Sequence, residues 1–330
     1  MGCLADDTIA DLLEGPVKHK GSRAANRTRA RRVASRVPEV MVKITGNAKG
    51  ADHVHSHLDY ISRNGNLELE DERGDVIHGK EEVRALAKDW SQDQGKRRKN
   101  TRDTTNIIMS MPAGTEPRDV KNAVRAFAKR QFGQNHQYVM ALHTDTESPH
   151  VHLTVKSLGY DGRRLNVKKG DPQKWREAFA TELERRGVEA EATPRATRGV
   201  IKKGVSQVVR HIREKGQTAQ VDQAKVQEVL EDFREQRAGQ APKSRPWEDR
   251  IKECQTYVRK SWLTAAKDLN QSEDPEDQEL AKHIAAFVDS MPPMKTERHE
   301  LQEKVAGQLQ RAQSRQGTEK RRKQDHQDER

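Results

Sequence analysis

Three histidines and a carboxylate fall close together in ALHTDTESPHVHLTVK, the stretch from Ala141 to Lys156, as the composite pattern HxDxxxPHxH. Imidazole is a good ligand for divalent metal ions, and a carboxylate nearby can orient a histidine or accept a proton. The residues on either side, QYVMAL before and VHLTV after, read as two β-strands joined by the polar turn Thr144 to Pro149. His150 and His152 are two apart and so share one strand face, and pairing across the turn brings His143 opposite or nearly opposite His150. Three imidazoles on a stiff hairpin would make an open metal site, with coordination positions left for water or a substrate oxygen.

The elements that must hold this hairpin lie on both sides of it in the chain. VMVKITG, from Val40 to Gly46, alternates as a first strand. GADHVHSHLDYISRNG reads as a helix in which Val54, Leu58 and Ile61 share one face and His53, His57 and Tyr60 the adjoining one, with Gly65 as its stop. His55 then points away, which argues against a second metal site there, while His57 stands one turn from Tyr60. NLELEDERGDVIHG is a polar connection, and KEEVRALAKDWSQDQG is an amphipathic helix. The basic loop KRRKNTR leads to TTNIIMSMPAGT, a buried strand with Ser110 near its exit. EPRDVKNAVRAFAKRQFG is a further helix, then come the histidine hairpin, the turn GYDGRRLN with Arg163 and Arg164 placed just beyond the site, and the helix DPQKWREAFATELERRGV. The order β-α-α-β-α-β-β-α predicts an α+β fold, an antiparallel sheet with helices on one side and its other face left for the histidines and a ligand.

Composition bounds the rest. In 330 residues, 62 Lys and Arg against 51 Asp and Glu leave a charge of +11, which favours a polyanionic partner. Only 32% of residues are hydrophobic, so a compact core is expected in part of the chain, with no apolar run of membrane-spanning length and no secretory leader at the start. Cys3 and Cys254, far apart, suggest neither a disulfide framework nor a zinc knuckle, and a reducing cytoplasm is the expected setting. Residues 1–36 hold a short amphipathic piece, ADDTIADLLEG, and an Arg-rich stretch that reads as a flexible basic arm, either a solvated tail or a phosphate contact. Residues 37–204 form the expected catalytic domain. Residues 205–310 are charged and glutamine-rich, with apolar stripes at Val226 to Phe233, Trp247 to Leu269 and Leu280 to Val288 that mark helices of an accessory bundle, and residues 311–330 read as a disordered charged tail.

A metal beside a phosphodiester would polarise a non-bridging oxygen and leave the choice of nucleophile open. A tyrosine could serve, keeping the bond energy in a covalent phosphotyrosine. Of the four tyrosines, Tyr138 lies in a strand, Tyr160 in a turn and Tyr257 in the helical region, which leaves Tyr60. Periodicity alone does not bring Tyr60 to the histidines.

Four blocks, LDYISRNGNLELED, TTNIIMSMPAGT, HTDTESPHVHLTV and ATPRATRGV, occur in the order and approximate spacing of the relaxases of bacterial conjugation. In detail, about Val37 to Lys203 resembles the P-type mobilisation relaxases that include the T-DNA border endonuclease, within the HUH endonuclease superfamily with its ferredoxin- or RRM-like core. The resemblance implies that Tyr60 is the nucleophile, that Ser110 helps to hold DNA near the nick, that His143, His150 and His152 bind Mg²⁺ or Mn²⁺, and that Asp145 tunes a histidine or activates the tyrosine. Ligand chemistry alone leans instead towards zinc or manganese. Glu147-Ser148 stands where many relatives have an Asp-His pair.

By the same resemblance the protein nicks one strand at an origin of transfer. It stays on the 5′ end through Tyr60, works with relaxosome accessory proteins and a type IV coupling protein, and leaves the bacterial cytoplasm with the transferred strand. Arg63, Arg163 and Arg164 are candidate contacts to the single-stranded backbone. A rolling-circle replication initiator shares the same site, and a non-cutting DNA-binding accessory protein would need only the basic charge. A two-histidine RNA phosphoesterase requires two H-x-T motifs, and only His152-Leu153-Thr154 fits.

Overall fold

The computed structural model describes residues 22–92, 100–201, 204–241, 243 and 245–328. The ADDTIADLLEG stretch and the KRRK of the basic loop lie outside them. The chain divides into two compact units, one of Arg32–Thr193 and one of Pro194–Arg330 together with the residues up to Arg31.

The first unit is built on β1 (Met41–Gly46), β2 (Leu69–Asp71), β3 (Val76–Ile77), β4 (Thr104–Ser110), β5 (Tyr138–His143) and β6 (His150–Lys156). Among the described residues these make one six-stranded sheet in the order β1-β4-β6-β5-β2-β3, every neighbouring pair antiparallel. The α+β class and the antiparallel sheet agree with the expectation. Two strands are additional to it: NLELEDERGDVIHG is not a plain connection but carries the β2–β3 hairpin, too short to show a periodic pattern. Its turn is closed by the Asp71 carboxylate, which accepts the Arg73 and Asp75 backbone N–H groups at 2.8 Å each.

Helices α4 (Pro117–Gln131) and α5 (Asp171–Glu184) cover one face. Val120, Val124 and Phe127 of α4 and Trp175, Phe179 and Leu183 of α5 pack there on Val42, Ile107, Met109, Met140, Val151 and Leu153. The expectation of helices on one side only is corrected by the other face. There Val54, Leu58 and Ile61 of α2 (Ala51–Ile61) and Val83, Ala87 and Trp90 of α3 (Gly79–Gln92) form a second core with Leu69, Val139 and Ala141. The reason is visible in β5: YVMALH is apolar at consecutive positions, the mark of a strand buried on both faces rather than one. Glu70 of β2 is buried and paired with Arg125 and Lys121 of α4. Burial works against its charge, but the two cations outweigh that and hold its carboxyl below the usual range.

The region expected as a flexible basic arm contains a helix, α1 (Ser22–Ala34), with Ala30 and Val33 buried. Its arginines find acids: Arg32 pairs with Glu184, and Arg27 reaches Asp277 at 2.6 Å. The second unit comprises a short 3-10 helix (Arg195–Arg198), α6 (Gln207–Glu214), α7 (Gln220–Arg237), α8 (Pro246–Asn270), α9 (Pro275–Asp289) and α10 (Glu297–Asp328). Trp262 anchors it, edge-on to Phe287 with ring centroids 5.6 Å apart and donating its indole N–H to the Thr197 carbonyl at 2.8 Å. The tail expected to be disordered continues α10 to Asp328, as a run rich in Glu, Gln, Lys and Arg allows. Cys254, on α8, is disulfide-bonded, which corrects the expectation of no disulfide framework. No described helix is long and apolar enough to cross a membrane.

The end of α2 is shaped by left-handed backbone. The helix stops at Ile61, and Arg63, Asn64 and Gly65 have φ of 53°, 57° and 81°. A Cβ on Gly65 would meet the Lys80 amide nitrogen at 2.5 Å. Gly65→Ala is therefore expected to lower stability by more than about 1 kcal/mol, since both the left-handed backbone and the space are lost. A denaturant titration showing an unchanged midpoint would contradict this.

Candidate metal centre

The β5–β6 register places His143 directly opposite His150, and Ala141 opposite His152. On the other side of β6, Ser110 lies opposite His150 and Ile108 opposite His152. Cross-strand partners share a face, so Ser110, His150 and His143 form one row, with His152 in the next. One nitrogen from each of the three rings can be chosen so that all lie within 4.8 Å of one another, and the ring centroids are 4.4–5.3 Å apart.

Hydrogen bonds assign the nitrogens. Nε2 of His143 lies 2.8 Å from the Ile61 carbonyl, which can only accept, so this nitrogen carries the proton and Nδ1 the lone pair. Nδ1 of His150 lies 3.2 Å from the Ser148 carbonyl, which leaves its Nε2 as the lone-pair atom. Nε2 of His152 is buried without a hydrogen-bond partner. A buried imidazole nitrogen without a protein partner beside two oriented ones is a donor set suited to a metal, so these residues fit a divalent cation.

Burial is also the main influence on charge. It pushes His152 down to about 3, with the neighbouring His143, His150, His57 and Arg63 adding to the effect. It also lowers His143, again with help from Arg63 and His150. These two rings are neutral near pH 7, the form that binds a metal.

Tyr60 stands over this group. Its ring centroid is 5.6 Å from that of His152, edge-on, and 6.4 Å from those of His143 and His57, and its side chain is exposed. The structure thus brings together the tyrosine and the histidines that periodicity leaves apart. His57 does not join the ligand set: its Nε2 meets the Thr154 hydroxyl at 2.9 Å, and burial lowers it to about 4. His55 turns away as expected, to 3.4 Å from Asp59. Ser110 is buried beside His150.

Asp145 forms an ion pair with Arg63, which also donates to Nδ1 of His143 at 3.2 Å, and the Asp145 charge acts on His143. Burial opposes the Asp145 charge, but Arg63, a backbone N–H, His143 and His150 together outweigh it and hold the carboxyl below its usual range. One placement differs from the sequence reading. Arg163 and Arg164 are not just beyond the site. They come after Lys156, at the opposite end of β6 from His150, about 20 Å away along the strand. Arg164 there donates to the Arg102 carbonyl at 2.9 Å. A turn after a strand departs from that strand's far end, and a site at its beginning is left behind.

Residues 60–187 match the family described as "Relaxase: MobA/VirD2-like, nuclease domain". This segment is similar to relaxase nuclease domains. The T-DNA border endonuclease VirD2 of Rhizobium radiobacter is 29% identical over 189 residues, covering 51% of this chain and 45% of that protein. VirD2 of Agrobacterium fabrum (strain C58 / ATCC 33970) is 28% identical over 204 residues, 56% of this chain and 46% of that one. The chain thus spans less than half the length of these relatives. A solved structure titled "Molecular Basis of Vancomycin Resistance Transfer in Staphylococcus aureus" aligns with 48% of this chain and 99% of its own, at 16% identity and a TM-score of 0.32.

The depressed histidines carry a consequence for stability. Below pH 6.5 the unfolded chain protonates His57 and His152 while the folded chain holds out to about 4 and about 3, so acid disfavours folding across that window. Each ring contributes up to about 1.4 kcal/mol per pH unit there. In EDTA, melting temperature should fall more steeply between pH 6.5 and about 4.5 for the wild type than for His152→Gln. Parallel slopes would mean that His152 is not held neutral.

Proposed function

We propose that this domain cuts one DNA strand at an origin of transfer by metal-dependent transesterification at Tyr60. The observation that carries the reading is the exposed phenol of Tyr60 set over His152 and His143. The phenolic oxygen forms a bond to phosphorus while the bond from phosphorus to the 3′ oxygen breaks. The phenolic proton leaves to solvent, the departing 3′ oxygen takes one up, and the 5′ phosphate remains on Tyr60. His143, His150 and His152 would hold a divalent cation, Mg²⁺ or Mn²⁺, which would supply Lewis-acid polarisation of a non-bridging oxygen. Ser110, in the row beside His150, and Arg63 are assigned to hold the strand, and Arg163 and Arg164 to contact it farther along the domain. Asp145 acts through Arg63.

The partners belong to the same reading: single-stranded DNA at the origin, relaxosome proteins, and a type IV coupling protein that takes the protein–strand adduct from the cytoplasm to a recipient cell. The net charge of +11 suits a polyanion. A rolling-circle initiator would use the same site; the relatives named as T-DNA border endonucleases favour the mobilisation reading.

Tyr60→Phe removes only the attacking oxygen, so nicking of an origin oligonucleotide is expected to fall below detection while its binding changes less than about threefold, or 0.7 kcal/mol. Residual nicking by this variant would dismiss Tyr60 as nucleophile. His150→Ala takes away one of three ligands, and calorimetric titration with Mn²⁺ should lose most of its heat. An unaltered isotherm would place the metal elsewhere.

A further inference from the structure

Arg63 has a role that rests on the metal-dependent reading of the site and goes beyond it. The residue comes just after the cap of α2 in the left-handed region, as does Asn64, a conformation that costs a non-glycine residue energy and turns the chain back over the end of the helix. Its guanidinium then has three neighbours. It is ion-paired with Asp145, its Nη2 donates to Nδ1 of His143 at 3.2 Å, and its Cζ lies 5.5 Å from the centroid of the Tyr60 ring.

The contact to His143 matters most. The Ile61 carbonyl fixes the proton of that ring on Nε2, so Nδ1 offers its single lone pair. That lone pair is the one a metal would use, and it cannot serve a guanidinium N–H and a cation at once. A positive side chain against a ligand atom also repels a divalent ion.

We propose that Arg63 and the divalent cation exclude one another at Nδ1 of His143. Without metal, Arg63 occupies that lone pair and keeps the buried imidazole satisfied. When metal binds, Arg63 leaves the ring, is retained by Asp145, and stays near the face of Tyr60, where a guanidinium can meet the phosphate being attacked. Arg63 is therefore free to contact the phosphate only once the metal is in place, and Asp145 is its anchor. The strained turn that places Arg63 is part of the device, since an ordinary helical continuation would carry the side chain elsewhere.

The test is Mn²⁺ binding by the purified full chain stripped with EDTA, measured by calorimetry and by the electron paramagnetic resonance signal of free Mn²⁺, with no DNA present. Arg63→Gln is expected to bind Mn²⁺ about tenfold more tightly than the wild type, a gain of about 1.4 kcal/mol. Arg63→Lys, which keeps the charge but not the planar fork, should fall between the two. The ¹⁵N shift of His143 Nδ1 in metal-free protein should move in Arg63→Gln, as the hydrogen bond it accepts is lost. Affinity equal to or weaker than wild type in Arg63→Gln would overturn the exclusion while leaving the metal site intact. If the wild type itself binds no Mn²⁺, the metal-dependent reading fails, and the exclusion with it. The Arg63 side chain is 41% exposed, so the substitution is compatible with folding; should Arg63→Gln melt early, Arg63→Asn, better suited to positive φ, takes its place.

Discussion

The site depends on how α2 is seated on the sheet. Val54, Leu58 and Ile61 bury their side chains against the β5 face that carries Val139 and Ala141, each worth about 1.5–3 kcal/mol if fully removed from water. That contact fixes the distance of the helix from the sheet but leaves it free to slide. The hydrogen bond between His57 and Thr154 supplies the missing coordinate. Thr154 is two residues from His152 on one strand face, and Tyr60 is three residues from His57 on one helix face. Pinning His57 to Thr154 therefore sets Tyr60 over His152. The nucleophile is placed by an apolar stripe and one polar contact, both remote from the reacting atoms.

The same seating makes the histidines what they are. Ile61, the last residue of α2, packs its side chain into the second core and turns its carbonyl to His143, fixing the tautomer of a ring on another element. The burial that α2 imposes on His152 removes the stabilisation of a charged ring, so the ring stays neutral and its nitrogen is left without a protein partner. A cost in folding free energy is thereby stored at the site, in the form that a bound cation would relieve.

Much of this is legible in the sequence. The H-x-H spacing and the polar turn predict the His143–His150 pairing that the register shows, and the three-and-four spacing of Val54, Leu58 and Ile61 marks the face that α2 buries. Less legible is the layering. QYVMAL reads as a strand, but only its lack of alternation reveals that helices cover both sides. The role of Asp145 is obscured because its partner, Arg63, is distant in sequence and reaches it from a left-handed turn that no periodic pattern encodes. Arg163 and Arg164 stand near the histidines along the chain and far from them in space, because a full strand lies between. The basic residues of α1 look free because their acidic partners, Glu184 and Asp277, are far along the chain.

The most direct test of the account is to incubate the purified chain with a labelled single-stranded oligonucleotide from its own origin of transfer, with Mn²⁺ and with EDTA, and to identify the modified peptide by mass spectrometry. The account predicts a denaturant-resistant protein–DNA adduct that requires the metal and maps to Tyr60. An adduct on another residue, or one formed equally well in EDTA, would contradict it.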